Sequence, residues 1–397
     1  MKDSILVFGV GELQKSIIER CKKKNLFVVG IDPMAEAMCR NLVDAFEVVG
    51  GQDFEKTVEV AERYNVKGIV TAATDKPLVM MARVAEKLQL PFFSVETAEW
   101  STDKLMMKQK FQESGIPCAN GFILNSVDEL TELKVDYPVV VKPRDNSGSR
   151  GVIYCNNLKE VEIAVKEALQ YTKKGNVLIE EYIEGKEYSI ESLHYAGKTY
   201  VIQYTEKITT PLPYNVELGH IQPADISDRE KIEINSTISR IAASLGFMNC
   251  ASHTELKINQ KGIFVIETSP RLGGDFISST LVPLSTGINM EDILIDISTN
   301  QPLQQDWVIP KFNKNSGIKY FELSDGVISE IDGLENLDNI PGIKQWHFGL
   351  KPGERVNKIT SSLERYGYAI FQTNSKEELV EGFREVEYIC NERLVIY

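Results

Sequence analysis

The chain has 397 residues, of which 43% are hydrophobic and 25% charged, as expected for a globular protein of two or three domains. Its formal net charge of −13 argues against a nucleic-acid or anionic-membrane partner, because it implies no large basic surface. We find no signal-peptide pattern and no apolar run of membrane-spanning length, so we expect a cytoplasmic protein. The six cysteines lack metal-ligand spacing and are expected to be reduced.

The first hundred residues alternate strand and helix patterns. This alternation predicts parallel βαβ units and therefore an open, Rossmann-like α/β domain over 1–100. The expected strands are 5–8, 27–32, 68–73 and 92–95, and the expected helices are 12–24 and 78–88.

A glycine turn follows the first expected strand. Gly9 and Gly11, with Asp32 ending the next strand, resemble a dinucleotide-binding fingerprint, which leaves an NAD oxidoreductase as a weak alternative. Gln14 stands where that fingerprint has its third glycine, so a structural turn is favoured.

The middle of the chain, 101–310, changes to a β-rich α+β pattern. We expect Ser101 to cap a helix ending near Gly115, and a further helix over 228–245. A third region, 311–397, combines strands and turns with a helix near 375–390. The predicted architecture is thus α/β followed by α+β.

A loop rich in glycine and serine joins two strands after Val139–Val141. Its backbone N–H groups and small side chains suit phosphate oxygens, and Lys142 would direct a cation to the same place. The alternative is a flexible loop with a surface lysine.

The most informative segment is a β-hairpin over 252–271. A three-residue loop ending at Gly262 would pair Asn259 with Ile263 and put Leu256, Ile258, Phe264 and Ile266 in one apolar set. In that register Glu255 faces Glu267, and two facing carboxylates repel each other unless a cation lies between them. Ser269 and Arg271 follow, so the hairpin predicts a Mg²⁺-phosphate site.

Two further segments complete the candidate set. In Leu178–Glu191 an extended backbone could contact an adenine edge and an acid could take ribose hydroxyls, although a solvated acidic connection is the alternative. His220, expected on a proline-bounded loop, is a candidate substrate residue. His253 would face Ser269, where a structural role is also open.

Taken in order, these motifs resemble the ATP-grasp superfamily over essentially the whole chain, and within it the carboxylate–amine ligases that make dipeptides. The motifs are Asp103-Lys104, Gly115-Ile-Pro117, Val141-Lys142-Pro143, Ile179-Glu-Glu-Tyr-Ile183, His253-Thr-Glu255, Glu267-Thr-Ser-Pro-Arg271 and Gly273-Gly274-Asp275. The resemblance implies an ATP-grasp domain over 101–310, with a lid over about 118–180, and a small C-terminal α+β domain over 311–397.

The resemblance also implies roles for individual residues. ATP would be bound by Lys104, Lys142, the loop Ser147, Gly148, Ser149 and Gly151, the adenine-side residues Glu180, Glu181 and Ile183, and the ribose-side Glu187. Mg²⁺ or Mn²⁺ would be bound by Glu255, Glu267 and Ser269, the last replacing the family's usual Asn. Arg271 and Lys142 would be catalytic, and His220, His253, Gly273 and Gly274 would face the substrates.

The implied reaction joins a small carboxylic or amino acid to an amine through an acyl phosphate, releasing ADP. The partners would then be small molecules, with no nucleic acid and no membrane, and we expect a homodimer. A phosphoribosylamine–glycine ligase is the alternative of the same class, and a catalytically silent ATP-binding protein is the alternative of another class.

Overall fold

The computed structural model describes residues 2–132, 135–146 and 148–397. The helices within these ranges are α1 Lys15–Lys23, α2 Phe54–Arg63, α3 Leu78–Leu88, α4 Val95–Thr102, α5 Lys104–Glu113, α6 Leu158–Ala168, α7 Asp228–Leu245, α8 Val282–Thr286, α9 Met290–Ser298 and α10 Lys376–Arg393. None of these described helices combines the length and apolarity needed to cross a membrane.

The strands form four sheets within the described residues. Their bounds are β1 Ser4–Phe8, β2 Phe27–Asp32, β3 Ala45–Val48, β4 Val66–Val70, β5 Gly121–Leu124, β6 Val139–Pro143, β7 Ile153–Cys155, β8 Val177–Glu181, β9 Lys186–Tyr195, β10 Lys198–Thr209, β11 Glu217–Gln222, β12 Cys250–Asn259, β13 Gly262–Ser269, β14 Asn315–Tyr320, β15 Gly326–Ile331, β16 Ile343–Phe348, β17 Arg355–Val356, β18 Gly367–Thr373 and β19 Leu394–Ile396.

The N-terminal sheet is parallel, in the order β3-β2-β1-β4, which confirms the predicted α/β start. The strand expected at 92–95 is wrong, because Ser94 accepts the Thr97 N–H and begins α4 there. Ser101 is not a cap either. Asp103 begins α5 by accepting the N–H groups of Leu105 and Met106.

The residues of the dinucleotide-like fingerprint have structural roles. The Gln14 amide accepts the Gly11 N–H at 3.3 Å and donates to the Ala72 carbonyl at 2.7 Å, so it fills the inside of the turn. Asp32 Oδ2 accepts the Val10 N–H at 2.9 Å. These contacts hold the turn together and support the structural interpretation over NAD binding.

A second, antiparallel sheet in the order β5-β8-β6-β7 packs against α6 around its own apolar core. It spans the region where the family resemblance implies a lid. The β6–β7 loop contains the candidate phosphate-binding segment. Ser147, which belongs to this segment, lies outside the described residues.

The largest sheet has the order β13-β12-β9-β10-β11-β14-β18-β16, so strands from the C-terminal region continue the sheet begun by the middle of the chain. β11 was expected to be a loop. Instead its backbone pairs with β10 on one side and β14 on the other, and His220 lies buried within it. A small sheet, β17-β15-β19, lies beside α10.

The β12–β13 hairpin has a different register at its turn from the expected one. Asn259 pairs with Gly262, so the connection has two residues rather than three, and Ile263 pairs with Ile258. A bulge between Glu255 and Leu256 then inserts one residue into β13 and restores the predicted pairing of Glu255 with Glu267.

The changed register reverses which side chains of β13 face the core. Ile263 and Val265 pack in the core with Leu256, whereas Phe264 and Ile266, expected in that set, do not. Ile266 lines a pocket with Glu255 and Glu267 instead. A one-residue shift moves every side chain of a strand to the opposite face, and the bulge limits that effect to one end.

Candidate active site

Two buried lysines from different elements contact one carboxylate. Lys142, in β6, places its Nζ 2.6 Å from Glu180 Oε2, and Lys108 Nζ lies 3.1 Å from the other oxygen of the same carboxylate. All three side chains are buried. Burial lowers the pKa of Lys142, aided by the charges of Lys108 and Lys104 and opposed by Glu180. An anionic ligand would stabilise its charged form further.

Lys104 begins α5, and its Nζ lies 2.5 Å from Glu267 Oε2. Although burial opposes the charge, Glu267 raises the pKa of Lys104. Lys104 and Lys142 both line the pocket that also contains Glu255 and Glu267. The pocket therefore brings together the two cations and the two acids that the sequence singled out.

A third cation, Lys207 on β10, was not predicted. Its ammonium lies 2.6 Å from Glu187, 3.0 Å from Glu255 and 3.1 Å from Glu217, with 2% of the side chain exposed. Despite the cost of burial, these acids hold the pKa of Lys207 well above its ordinary value. Burial likewise opposes ionisation of Glu255, but Lys207 and His253 keep its pKa well below the usual range.

The paired acids fit a divalent cation. Each is already within contact distance of one ammonium group, Lys207 for Glu255 and Lys104 for Glu267, so the position attracts positive charge from two sides. Within the described ranges no group of three or more His, Cys, Asp or Glu residues is arranged as a metal site. A metal bound here would therefore need oxygen ligands from a substrate or from water in addition to the two glutamates.

Arg271 follows β13 and is fixed by Asp75, an acid of the N-terminal region that the sequence did not suggest. Arg271 Nε donates to Asp75 Oδ1 at 2.8 Å and Nη2 to Oδ2 at 3.3 Å. Ser269 Oγ donates to the same carboxylate at 2.5 Å, so its hydroxyl is directed to Asp75. Burial opposes ionisation of Asp75, yet Arg271 lowers its pKa, and the pair stays charged.

His253 faces Ser269 as expected, and its ring bridges two carboxylates. Nδ1 lies 2.5 Å from Glu191 Oε1, and Nε2 lies 3.4 Å from Glu255 Oε1. Burial disfavours its charged form, but Glu191 raises the pKa of His253 to about 9. The fully buried Glu191 also accepts from Ser278 Oγ at 2.6 Å and from the Gly273 N–H at 3.3 Å.

The glycine-rich loop lies over the same pocket. Gly148, Ser149 and Gly151 have φ of +71°, +55° and +73°, a region that glycine adopts easily and serine rarely does. Gly148, Ser149 and Lys142 line the pocket together, and Ser149 Oγ donates to Glu217 Oε2 at 3.5 Å. The described part of the loop thus leaves small side chains facing the lysines.

At the other end of the pocket Glu181, Tyr182 and Ile183 leave β8. Glu181 accepts from the backbone and side chain of Asn120, so its side chain braces the lid strand β5. Tyr182 lies edge-on to Tyr154 at 4.8 Å, with Lys257 Nζ 4.5 Å from its ring centre. Glu187 contacts Lys207 and accepts from Asn215 Nδ2 at 3.1 Å.

His220 contacts the segment that follows Arg271, to which Gly274 also belongs. His220 Nε2 is 3.3 Å from Asp275 Oδ2, and its Nδ1 is buried without a hydrogen-bond partner among the described residues. Gly274 approaches Ala73 of the N-terminal region. Asp275 thus links His220 to the segment that follows Arg271.

The unpredicted residues gave only faint sequence signals. Lys207 is one polar residue among several in an ordinary strand pattern. Asp75 is one acid among many and follows β4 by a few residues. Glu191 ends the segment in which Glu180, Glu181, Ile183 and Glu187 were predicted to contact ATP, but it was not itself predicted. What distinguishes these residues is burial against opposite charges from distant segments.

A large cavity of about 980 Å³ lies beside Arg271 and Glu267. Loops of the N-terminal sheet, including Gly50 and Gly51, line one side, and the lid residues Arg150 and Lys174 line another. Its size suits a small-molecule site. It shares Lys104 and Glu267 with the lysine-rich pocket, so the two compartments meet at these two side chains, while Glu255 lines only the lysine-rich pocket.

This fold, with the β5-β8-β6-β7 sheet beside a lysine- and glutamate-lined pocket, is an ATP-grasp fold. Residues 135–279 match the model of an ATP-grasp domain, and residues 319–387 match L-amino acid ligase C-terminal domain 2. The chain therefore contains an ATP-grasp domain followed by the C-terminal domain found in L-amino acid ligases.

Known proteins of this kind are distant in sequence. An alanine–anticapsin ligase of Bacillus amyloliquefaciens is 25% identical over 61% of this chain, which spans 56% of that relative's length. An L-arginine-specific L-amino acid ligase of Bacillus subtilis is 25% identical over 74% of this chain and 73% of its own. The crystal structure of an L-amino acid ligase from Bacillus licheniformis has a TM-score of 0.84 at 22% identity, covering 100% of this chain and 98% of that one.

Proposed function

We propose that the chain is an ATP-dependent carboxylate–amine ligase whose acid substrate is an amino acid or a similarly small carboxylic acid. The observation that carries the proposal is the convergence of Lys104, Lys142, Arg271 and the Glu255–Glu267 pair where two compartments meet. Two compartments suit two substrates, ATP in the lysine-rich pocket and the carboxylic acid in the larger cavity.

The chain's own residues suggest how ATP would be held. Lys104 and Lys142 would bind phosphate oxygens, exchanging part of their contact with Glu267 and Glu180 for the ligand. The loop Ser147–Gly151 would cover the phosphates, while the backbone at Glu180–Ile183 would contact adenine and Glu187 the ribose. Glu255 and Glu267, with Ser269 as a further oxygen, would hold Mg²⁺ or Mn²⁺, which neutralises charge on the transferred phosphoryl group.

The reaction would occur in two steps, phosphorylation of the carboxylate and then formation of the amide. The substrate carboxylate attacks the γ-phosphorus of ATP, the bond to the β–γ bridging oxygen breaks, and ADP leaves an acyl phosphate. The amine nitrogen then attacks the acyl carbon, the C–N bond forms, and phosphate and a proton are released. The guanidinium of Arg271, held by Asp75, would stabilise the developing oxyanion. The lid would exclude water from the acyl phosphate.

The match to an L-amino acid ligase C-terminal domain favours this reaction over that of a phosphoribosylamine–glycine ligase. A catalytically silent ATP-binding protein would have no evident need for the Arg271–Asp75 pair, which lies outside the lysine-rich pocket. We also propose that the chain is divided into three domains, 1–100, 101–310 and 311–397. We further propose a homodimer, which a measurement of the molar mass in solution by light scattering tests.

The test is Mg²⁺-dependent release of ADP and phosphate from ATP with all pairs of proteinogenic L-amino acids, followed by mass spectrometry of the products. We expect at least one pair to give a dipeptide together with ADP. Tight ATP binding without product from any pair would instead support the silent binding protein. Turnover only with phosphoribosylamine and glycine would support the alternative ligase.

A further inference from the structure

The segment after Arg271 is tied to the C-terminal region by the side chain of Arg365. Arg365 lies between β17 and β18, with 8% of its side chain exposed. Its Nη1 lies 2.5 Å from Asp275 Oδ2 and its Nη2 2.9 Å from Asp275 Oδ1, a bidentate pair. The guanidinium carbon lies 3.9 Å from the centre of the Tyr320 ring. These contacts come from separate parts of the chain and converge on one carboxylate.

Asp275 belongs to a turn with an uncommon backbone. Asp275 and Phe276 have φ of +50° and +61°, and two successive non-glycine residues in this region need support from their surroundings. Arg365 and His220 hold the Asp275 carboxylate, and the Phe276 ring lies 4.7 Å from that of Tyr368 in β18. The turn is therefore supported chiefly from the C-terminal strands.

The same turn is attached to the proposed active site at its other end. The Gly273 N–H lies 2.8 Å from Ser278 Oγ and 3.3 Å from Glu191 Oε2, and Ser278 itself donates to Glu191. Glu191 also contacts His253, while Arg271 is fixed by Asp75. Arg271, which contacts Asp75 of the N-terminal region, and Asp275, which contacts Arg365 of the C-terminal region, are thus only four positions apart. A change in the position of Asp275 must therefore be taken up close to Arg271.

Arg365 itself has few donors left for a substrate. Four of its five N–H groups already have acceptors in the protein. Two are directed to the Asp275 carboxylate, one to the Glu217 carbonyl at 3.3 Å and one to the Ser362 carbonyl at 3.2 Å. Such a side chain holds protein groups in place and is not free to bind the reacting atoms.

We infer that Arg365 is a positioning residue for amide formation, acting through Asp275 on the turn that places Arg271. The inference rests on the proposed ligase function. Neither Lys104 nor Lys142 contacts this turn, so phosphorylation of the carboxylate should depend on Arg365 much less than attack by the amine does. With the turn displaced, the acyl phosphate would form and then be lost to water.

The test uses the amino-acid pair that gives the most dipeptide with the wild-type protein, and compares Arg365→Lys and Asp275→Asn. Lysine keeps the charge but cannot make the bidentate pair. We expect dipeptide formation to fall about 10- to 100-fold in either variant. The number of ADP molecules released per dipeptide should rise severalfold, while KM for ATP stays within about twofold, and the double variant should be no worse than the single ones.

Arg355→Lys is the matched control, because Arg355 is an exposed arginine of the same region whose partner Asp325 is also exposed. It should leave the ADP-to-dipeptide ratio unchanged. A purely structural role for Arg365 would lower the melting temperature and the amount of active protein while leaving that ratio at the wild-type value, and this result would overturn the inference. So would a raised KM for ATP with an unchanged ratio, since that would place the effect at Glu217. If wild-type protein makes no amide from any pair, the proposed function itself fails and the inference falls with it.

Discussion

The Nζ of Lys207 lies 3.0 Å from Glu255 Oε2, so a buried lysine already neutralises one member of the acid pair proposed to bind metal. Glu187 and Glu217 contact the same ammonium. Lys257 Nζ also lies 3.7 Å from Glu187, and Lys104 contacts Glu267. A Mg²⁺ ion bound by Glu255 would therefore share that carboxylate with Lys207.

Replacing Lys207 by methionine should destabilise the protein, by about 3–5 kcal/mol, because the buried acids lose their partner. We expect Mg²⁺ to restore part of this loss, since a divalent cation binds the same carboxylates and stabilises the folded state by mass action. Urea unfolding with and without Mg²⁺ measures both effects. Lys231→Met, which removes an exposed pair with Asp228, is the control and should change stability little. A Mg²⁺ response no larger in Lys207→Met than in the wild type would argue against a metal site at these acids.

Glu267→Gln should preserve the fold, because the amide oxygen can still accept from Lys104. It removes half of the charge that the acid pair offers to Mg²⁺, so we expect turnover to fall about 10²- to 10³-fold. The Mg²⁺ concentration for half-maximal rate should rise as well. The measurement is ADP release at increasing Mg²⁺, with the exposed Glu113→Gln as control. Near-normal turnover in Glu267→Gln would refute the proposed role of this residue.

Arg271→Ala should cost both activity and stability. The substitution leaves Asp75 without its buried cation, and removal of one partner of a buried pair typically costs about 3–5 kcal/mol. Asp75→Asn in the same background removes the stranded charge, so the double variant should regain stability without regaining turnover. Chemical unfolding and ADP release of the wild type and the two variants separate the two effects. Recovery of turnover in the double variant would show that Arg271 is structural only.

The sequence predicted the α/β start, α7 to its ends, and the facing of Glu255 with Glu267. The prediction of the acid pair succeeded although its reasoning was incomplete: the expected three-residue turn is absent, and a bulge restores the register. Alternating patterns locate a strand but do not show where a bulge lies, which is why Phe264 and Ile266 were assigned to the wrong face. β11 was expected as a loop because prolines bound it, and its strand character comes from neighbours distant in the chain.

The buried partners of the site were harder to predict for a related reason. Lys207, Asp75 and Glu191 each contact a charge more than fifty residues away or on another strand, and a single sequence does not show which distant segments meet. Motif order predicted which residues would bind ATP, whereas the charges that hold those side chains in place depend on tertiary packing.

His194 should make the protein less stable in mild acid. Burial lowers its pKa to about 3, between Ser252 Oγ at 2.7 Å and Thr199 Oγ1 at 3.1 Å. Because the folded-state pKa lies below the unfolded value of about 6.5, the unfolded chain binds the proton more readily, and stability falls as the pH drops below about 6.5. Between pH 6.5 and pH 5 this should amount to about 2 kcal/mol.

The raised pKa of His253 has the opposite sign, and its stabilisation is complete below about pH 6.5, so it does not mask the effect of His194. Urea unfolding of the wild type and of His194→Gln at pH 6.5 and pH 5 provides the measurement. The glutamine variant should lose less stability across this interval. His347→Gln is the control, since His347 is exposed, and should behave as the wild type. Equal losses in all three proteins would contradict the assignment.

Gly273→Ala should impair activity through steric contact rather than backbone strain. A Cβ at this position would lie 2.7 and 2.9 Å from the two Glu191 carboxylate oxygens and 2.9 Å from His253 Nδ1. These atoms are buried, so either the Glu191–His253 contact or the turn after Arg271 must shift. We expect about a 10²-fold loss of turnover, in line with a displacement of the order of 1 Å at an active site. Gly349→Ala, where an added Cβ makes only ordinary contacts of 3.4 and 3.5 Å, is the control. Comparison of ADP release by the two alanine variants tests the prediction, and equal rates would mean that the Glu191–His253 contact does not position the turn.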